Sequence, residues 1–218
     1  MTSSRWGEPV TGPPADEIAD LNRQALIHVV FSLVTNLLER QRRRGWLPVP
    51  GEAALLELHG VATRFVLRRP GRYRKCSVHV DDPDRDFVLH GAPHREIPRL
   101  MRLFFRDLRA LWKTGDALDV AAFALWRIAF IHPFEDGNGR TADAFAHACL
   151  CLKLGALLPA RANLMQAIQS ALPEYWRTLT LAHRTASAGG RADLGPLKEY
   201  LDAILLDRIR ALEAGHGG

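Results

Sequence analysis

Apolar residues recur at steps of three and four along nearly all of this 218-residue chain, and that period breaks once, between Tyr73 and His90. Such a period gathers apolar side chains on one stripe of a helix, and the stripe must be buried. The first helix is expected from Asp16, with Ile18, Leu21, Ala25, Val29, Leu33 and Leu37 on its buried face. Arg42, Arg43 and Arg44 fall in its last turn before Gly45, where positive charge suits the dipole and glycine the left-handed stop. A second helix is expected over 52–67, with Leu55, Leu58, Ala62 and Phe65 on one face and Pro70-Gly71 as its stop. Helical runs follow at Ile97–Leu111, Asp119–Ile131, 139–154, 163–172, 173–187 and 195–214. Gly155 ends the central one, and Gly189-Gly190 separates the last two. Residues 1–15, with Pro9, Gly12, Pro13 and Pro14, show no period and are read as a loose tail, leaving 16–214 as one domain.

The break has its own logic. Tyr73 to Val80 is rich in β-compatible residues, Asp81-Asp82-Pro83-Asp84 is turn chemistry, and Arg85 to His90 contains Phe87, Val88 and Leu89. A lone hairpin is predicted there, with unpaired edges. The fold class is mostly α with one β-hairpin.

Composition excludes several function classes. Cys76, Cys149 and Cys151 are too few for a secreted disulfide framework, so a reducing, cytoplasmic setting is expected. No run of 18 apolar residues is present, which argues against a membrane span. The net charge of +5 comes largely from arginine; Lys75, Lys113, Lys153 and Lys198 are the lysines. No basic stripe interleaves with aromatics, so no specific nucleic-acid partner is expected. His147 and Cys151 share a helix face, but two ligands do not make a zinc site, and packing is the expected role of that pair. His79, His90 and His94 near the hairpin are read as dispersed surface histidines.

One stretch differs in kind: His132-Pro133-Phe134-Glu135-Asp136-Gly137-Asn138-Gly139-Arg140, between two strongly apolar helical segments. It is a loop leading into a helix N-terminus. Glycines allow close backbone approach, and N–H groups at a helix start form an anion site. Asp136 is a hard oxygen ligand suited to Mg²⁺ shared with substrate phosphates. Arg140 offers a planar fork for phosphate oxygens. His132 is the group whose ordinary pKa suits proton abstraction near neutral pH.

The nine residues resemble the signature of the Fic family, His-x-Phe-x-[Asp/Glu]-Gly-Asn-Gly-Arg, at every fixed position. Leu58-His59 through Pro70-Gly71-Arg72-Tyr73-Arg74 and the hairpin resemble the family's flap region. The stretch from Ala171-Leu172-Pro173-Glu174-Tyr175-Trp176 to Gly195-Pro196-Leu197 resembles its C-terminal helices. The resemblance implies a Fic-type helical bundle with a hairpin flap at about 72–90. It also implies transfer of AMP from ATP to a Ser, Thr or Tyr hydroxyl of a target protein docked at the flap. His132, Asn138 and Arg140 would be catalytic. Gly137, Asn138, Gly139 and Arg140 would bind the phosphates, with the Asn138 side chain oriented there too. Asp136 would hold Mg²⁺ or Mn²⁺, and Phe134 would pack in the core.

One position departs from the pattern. Many AMP-transferring members carry a second arginine three residues after the first, where it clamps the γ-phosphate; here Asp143 stands in that place. A carboxylate one turn past the cradle is expected to repel a triphosphate tail. The donor is then either held without that clamp or is diphosphate-linked, as in nucleotide–choline or nucleotide–sugar compounds. The family's inhibitory motif is not evident, although Ser4 to Glu8 has its spacing, and a separate inhibitory partner stays open. Rival outcomes are transfer of UMP, phosphocholine or, as in the Doc group, phosphate, and a non-catalytic module that holds a nucleotide or partner. Delivery to the cytosol of a host or target cell is the other location the resemblance allows.

Overall fold

The computed structural model describes residues 15–45, 49–82, 87–159, 162–187 and 191–214. Eight α-helices are found among them: α1 (Ala15–Arg44), α2 (Glu52–Ala62), α3 (Ile97–Thr114), α4 (Ala117–Ile131), α5 (Asn138–Leu154), α6 (Leu164–Ser170), α7 (Leu172–Ser187) and α8 (Gly195–Ala214). The expected tail lies outside the described residues except for Ala15, which opens α1. The Ser4–Glu8 spacing and the Gly189-Gly190 separator also lie outside them.

Helix α5 is the hub. It is buried at every position from Thr141 to Leu152, mostly by small and apolar side chains, with Thr141, Asp143 and His147 as the polar exceptions. Helices α1, α2, α4 and α6 all pack against it, α3 backs α4, and α8 bridges α4, α6 and α7. Asp116 and Asp119 cap the start of α4 reciprocally, and Lys198 of α8 reaches both carboxylates at 2.7 and 2.6 Å. Inside α5, His147 and Cys151 meet at 3.6 Å, and the Leu164 N–H donates to His147 Nδ1. Burial holds the His147 imidazole down at about 4, so it packs as a neutral ring. No described helix is long and apolar enough to cross a membrane.

Three sequence expectations are corrected. The buried stripe of α1 is Asn22, Leu26, Val30, Val34 and Leu38, one position on from the expected face, and Leu21 is exposed. A polar residue heads the true stripe because the Asn22 amide donates to the Arg64 carbonyl at 2.7 Å. Helix α2 stops at Ala62, well before Pro70-Gly71. Thr63 turns its hydroxyl back onto the His59 carbonyl at 2.7 Å, and Phe65 takes a left-handed φ of 63°. Phe65, expected in the core, is instead 77% exposed. The released segment folds back so that Gly71 lies against Leu56 and Gly60; a Cβ on Gly71 would meet the Leu56 carbonyl oxygen at 2.9 Å. Finally, residues 73–78 are not strand.

Strands β1 (His79–Asp82) and β2 (Phe87–His90) pair antiparallel, His79 opposite His90 and Asp82 opposite Phe87. The Pro83-Asp84 half of the expected turn lies outside the described residues. At the base of the pair the Gly91 N–H donates to the Val78 carbonyl, and the Ala92 N–H donates to the carbonyl of Ile131, the last residue of α4. The two strands are thereby tied to the helix end that precedes the glycine-rich loop.

Candidate active site

The loop between α4 and α5 is shaped by its own buried members. Helix α4 ends at His132, which adopts a left-handed φ of 52° with its N–H still bonded to the Ile128 carbonyl. Such a backbone is uncommon for a residue with a Cβ, and it turns the chain sharply out of the helix. Phe134 is fully buried, its ring stacked on His59 at a centroid distance of 3.8 Å. The Phe134 N–H donates to Asn138 Oδ1 at 2.9 Å, and Asn138 Nδ2 donates to the Phe134 carbonyl at 3.0 Å. Both polar atoms of the Asn138 side chain are therefore bonded within the loop. The expectation that this side chain faces the phosphates is not met: it is buried and closes the loop on itself.

Two residues outside the motif complete the support. His59 of α2 accepts the Gly71 N–H at Nδ1, 2.9 Å away, and donates from Nε2 to the Asp136 carbonyl at 3.0 Å. Burial lowers its imidazole to about 4, so it stays neutral. Arg74 is buried and donates from Nε to the His132 carbonyl, from Nη1 to the Cys76 carbonyl and from Nη2 to the Ala92 carbonyl, at 2.7, 2.6 and 2.5 Å. Its own N–H donates to the Pro133 carbonyl. One guanidinium thus joins both flanks of the strand pair to the residue carrying the imidazole. Gly91 makes this approach possible, since a Cβ there would meet Arg74 Nη2 at 2.7 Å and His132 Cβ at 3.3 Å.

What the loop presents outward is different. A cleft of about 560 Å³ is lined by His132, Glu135, Asp136, Gly137, Asn138, Gly139, Arg140 and Asp143, with Ile168, Leu172, Tyr175 and Trp176 on the facing helices. His132 Nδ1 lies 3.4 Å from the Ala129 carbonyl, which assigns the proton to Nδ1 and leaves Nε2 as the acceptor. Burial, assisted by Arg74 and His183, lowers its pKa, so the ring is neutral at pH 7. Asp136 Oδ2 accepts from Arg140 Nη2 at 3.1 Å, and the Asp136 side chain is half exposed. Gly137 has φ +74°, and a Cβ on it would stand 2.5 Å from Thr63 Cγ2. Nothing lies within 4 Å of the Cβ direction at Gly139, so there the helix start is open.

A profile of the Fic/DOC family matches residues 48–150, from the approach to α2 through most of α5. Residues 48–150 form the Fic/DOC-family part of the chain. Among solved structures it is similar to a Fic family protein from Desulfovibrio desulfuricans, with TM-score 0.68 and 23% identity over 97% of this chain and 57% of that one. A Fic domain-containing signaling protein from Bacteroides thetaiotaomicron matches with TM-score 0.66 and 20% identity, covering 93% of this chain and 73% of that one. Fic-1 from C. elegans, residues 134–508, matches with TM-score 0.63 and 19% identity over 95% and 56%. At these identities the likeness is one of fold, and this chain spans little more than half the length of the Desulfovibrio protein. Among curated protein sequences none matches.

Within this Fic domain, Asp143 overturns a sequence expectation. It is not an exposed charge beyond the cradle; it is 5% exposed, and its Oδ1 has no hydrogen-bond partner among the described residues. Burial pushes its carboxyl up to about 8, so at neutral pH the acid is largely protonated. The expected repulsion of a phosphate tail is correspondingly weak. Sequence reasoning also missed Arg74 and His59 as supports. Only a histidine amid the apolar positions Leu55, Leu58 and Ala62 hinted at the second, and an arginine in a β-compatible run gave no sign of burial.

Proposed function

We propose that this Fic domain transfers AMP from ATP to a Ser, Thr or Tyr hydroxyl of a protein. The observation that carries the reading is a neutral imidazole, with its acceptor nitrogen defined, in the same cleft as an open, glycine-flanked helix N-terminus. His132 Nε2 takes the proton from the target hydroxyl, whose oxygen bonds to the α-phosphorus as the bond to the bridging oxygen breaks and pyrophosphate departs. The first N–H groups of α5 have no acceptor within their own helix and receive the charge growing on the phosphate oxygens. Arg140 neutralises the leaving phosphates.

Mg²⁺ is the proposed metal. Among the described residues no group of three or more acidic, histidine or cysteine side chains gathers. Glu135 and Asp136 are the exposed carboxylates lining the cleft, and Asp136 is the one assigned to Mg²⁺ held by one carboxylate together with substrate phosphates. When bound, the ion supplies charge neutralisation across the phosphates. Asp136, now paired with Arg140, would be the residue that holds it.

The strand pair of His79–Asp82 and Phe87–His90 is the proposed docking place of the target, as an added strand held by main-chain bonds. The connection of its base to Ile131 and His132 supports that placement. The remaining assignments extend the resemblance: one domain over 16–214, acting in a cytosol. Incubation with α-labelled and γ-labelled ATP, Mg²⁺ and a lysate tests the reaction. Label from the α position and an AMP mass gain are expected; label from the γ position alone would replace the reading with phosphate transfer.

A further inference from the structure

Beside the catalytic cleft lies a second cavity of about 400 Å³, between α1, α5 and α6. The two share Arg140, Asp143 and Gln169, so the second continues from the far side of the phosphate cradle. A donor held at the cradle and extending past Arg140 would reach it.

The chemistry of the lining is not that of a phosphate site. A phosphate accepts hydrogen bonds only and is best held by free cationic donors. Here Arg23 is already paired with Asp20 at 3.0 Å, and Arg140, shared with the catalytic cleft, is the residue assigned above to the leaving phosphates. The remaining polar contributors are the amides Gln24, Gln166 and Gln169, the Ser170 hydroxyl and the Asp143 carboxyl, whose Oδ1 is buried without a partner among the described residues, while Leu26, Ile27 and Met165 supply apolar wall. Amides both donate and accept. A carboxyl accepts when ionised and also donates when protonated. Hydroxyl groups match all of these, because each hydroxyl donates one hydrogen bond and accepts others. A buried polar atom without a partner is costly, and a bound hydroxyl would recover that cost.

The geometry points to this side cavity as a specificity site for a polyol, such as a sugar, attached through the β-phosphate of a nucleoside diphosphate donor, with Asp143 as its selecting residue. The inference rests on the transfer at the α-phosphorus proposed above. The acceptor oxygen bonds to the α-phosphorus, its proton passes to His132, and the bond from the α-phosphorus to the bridging oxygen breaks. The polyol phosphate departs in place of pyrophosphate.

ADP-glucose, ADP-ribose, ADP and ATP share one AMP unit and differ only in what enters the cavity. Calorimetric titration of the full chain with each, in Mg²⁺, is expected to show a polyol probe binding about tenfold or more tighter than ADP and ATP. Asp143→Leu and Gln169→Leu should each bring that ratio back toward one. Asp143→Arg should shift the preference to ATP. Thermal denaturation of each variant identifies any that is misfolded, and Gln169→Leu, on a different helix from Asp143, keeps the test independent of a misfolded Asp143 variant. Equal binding of ADP and both polyol probes, or tightest binding of ATP, overturns the inference. AMP transfer from ATP alongside either result leaves the proposed reaction standing. Polyol-selective binding with no AMP transferred from any donor overturns the reaction and leaves the cavity assignment intact.

Discussion

The loop from His132 to Arg140 has two faces, and they obey different physics. The inward face is saturated: Phe134 stacked on His59, Asn138 bonded twice to Phe134, and the Asp136 carbonyl held by His59. The outward face is left available, with an exchangeable Asp136–Arg140 pair, an open helix start at Gly139 and an imidazole with its acceptor nitrogen unprotonated. Within nine residues, rigidity and reactivity are assigned to alternate side chains. The lesson is that a motif position says which residue type is required, and the packing decides whether it is required for shape or for chemistry.

Substitutions that separate the faces test this division. The largest effect is expected from His132→Ala, which should reduce AMP transfer roughly 10²–10⁴-fold while circular dichroism shows the fold retained. Next is Gly137→Ala, which adds a Cβ 2.5 Å from Thr63 Cγ2 at a left-handed backbone. Overpacking alone costs about 1–3 kcal/mol, with a drop in Tm of about 2–4 °C for each kcal/mol in a chain of this size. Thr63→Ser in the same chain removes Cγ2 and should restore part of the loss. Gly139→Ala, one step outward, should leave Tm unchanged or slightly raised yet impair transfer. A matching drop in Tm at both glycines would erase the distinction between the faces.

The pH dependence of stability sharpens it further. His59 and His147 hold pKa values of about 4 against an ordinary 6.5, so the folded state binds fewer protons than the unfolded one between those limits. Their contribution is present above pH 6.5 and is lost as pH falls toward 4. Asp143, raised to about 8, acts in the opposite sense: its contribution is present below about 3.8 and is lost as pH rises toward 8. Thermal melts from pH 4 to 8 should therefore show Asp143→Asn gaining on the parent chain as pH rises. The smallest effect is expected from Asp136→Asn, which removes an exposed ion pair worth about 0–1 kcal/mol and should leave Tm nearly unchanged. The same variant should abolish the response of transfer to added Mg²⁺, an outcome that a purely structural role for Asp136 would not produce.

Much of this was legible in the residues. Period, caps and stop signals locate α1 and α3 to α8 closely, because each of those runs carries an apolar period that demands burial, although in α1 the face itself is displaced by one position. Legibility failed wherever a long-range partner decided the outcome. Asn22 looks like a surface residue until the Arg64 carbonyl is beside it, and its presence shifted the expected face of α1 by one position. Helix α2 is expected to continue because Leu67 and Phe65 are apolar, but closure of Gly71 onto His59 ends it early. Of the motif, the residues that gather at the cleft could be named from spacing, whereas the inward turn of Asn138 could not. Asp143 was read as a charge in water, and burial makes it something else.

Arg74 has a consequence for how such a site would sense its surroundings. A single side chain grips the peptide unit beneath the imidazole and, at the same time, the chain on either side of the two strands. Tension applied to those strands is therefore delivered to the proton acceptor through three short links, with no intervening loop to absorb it.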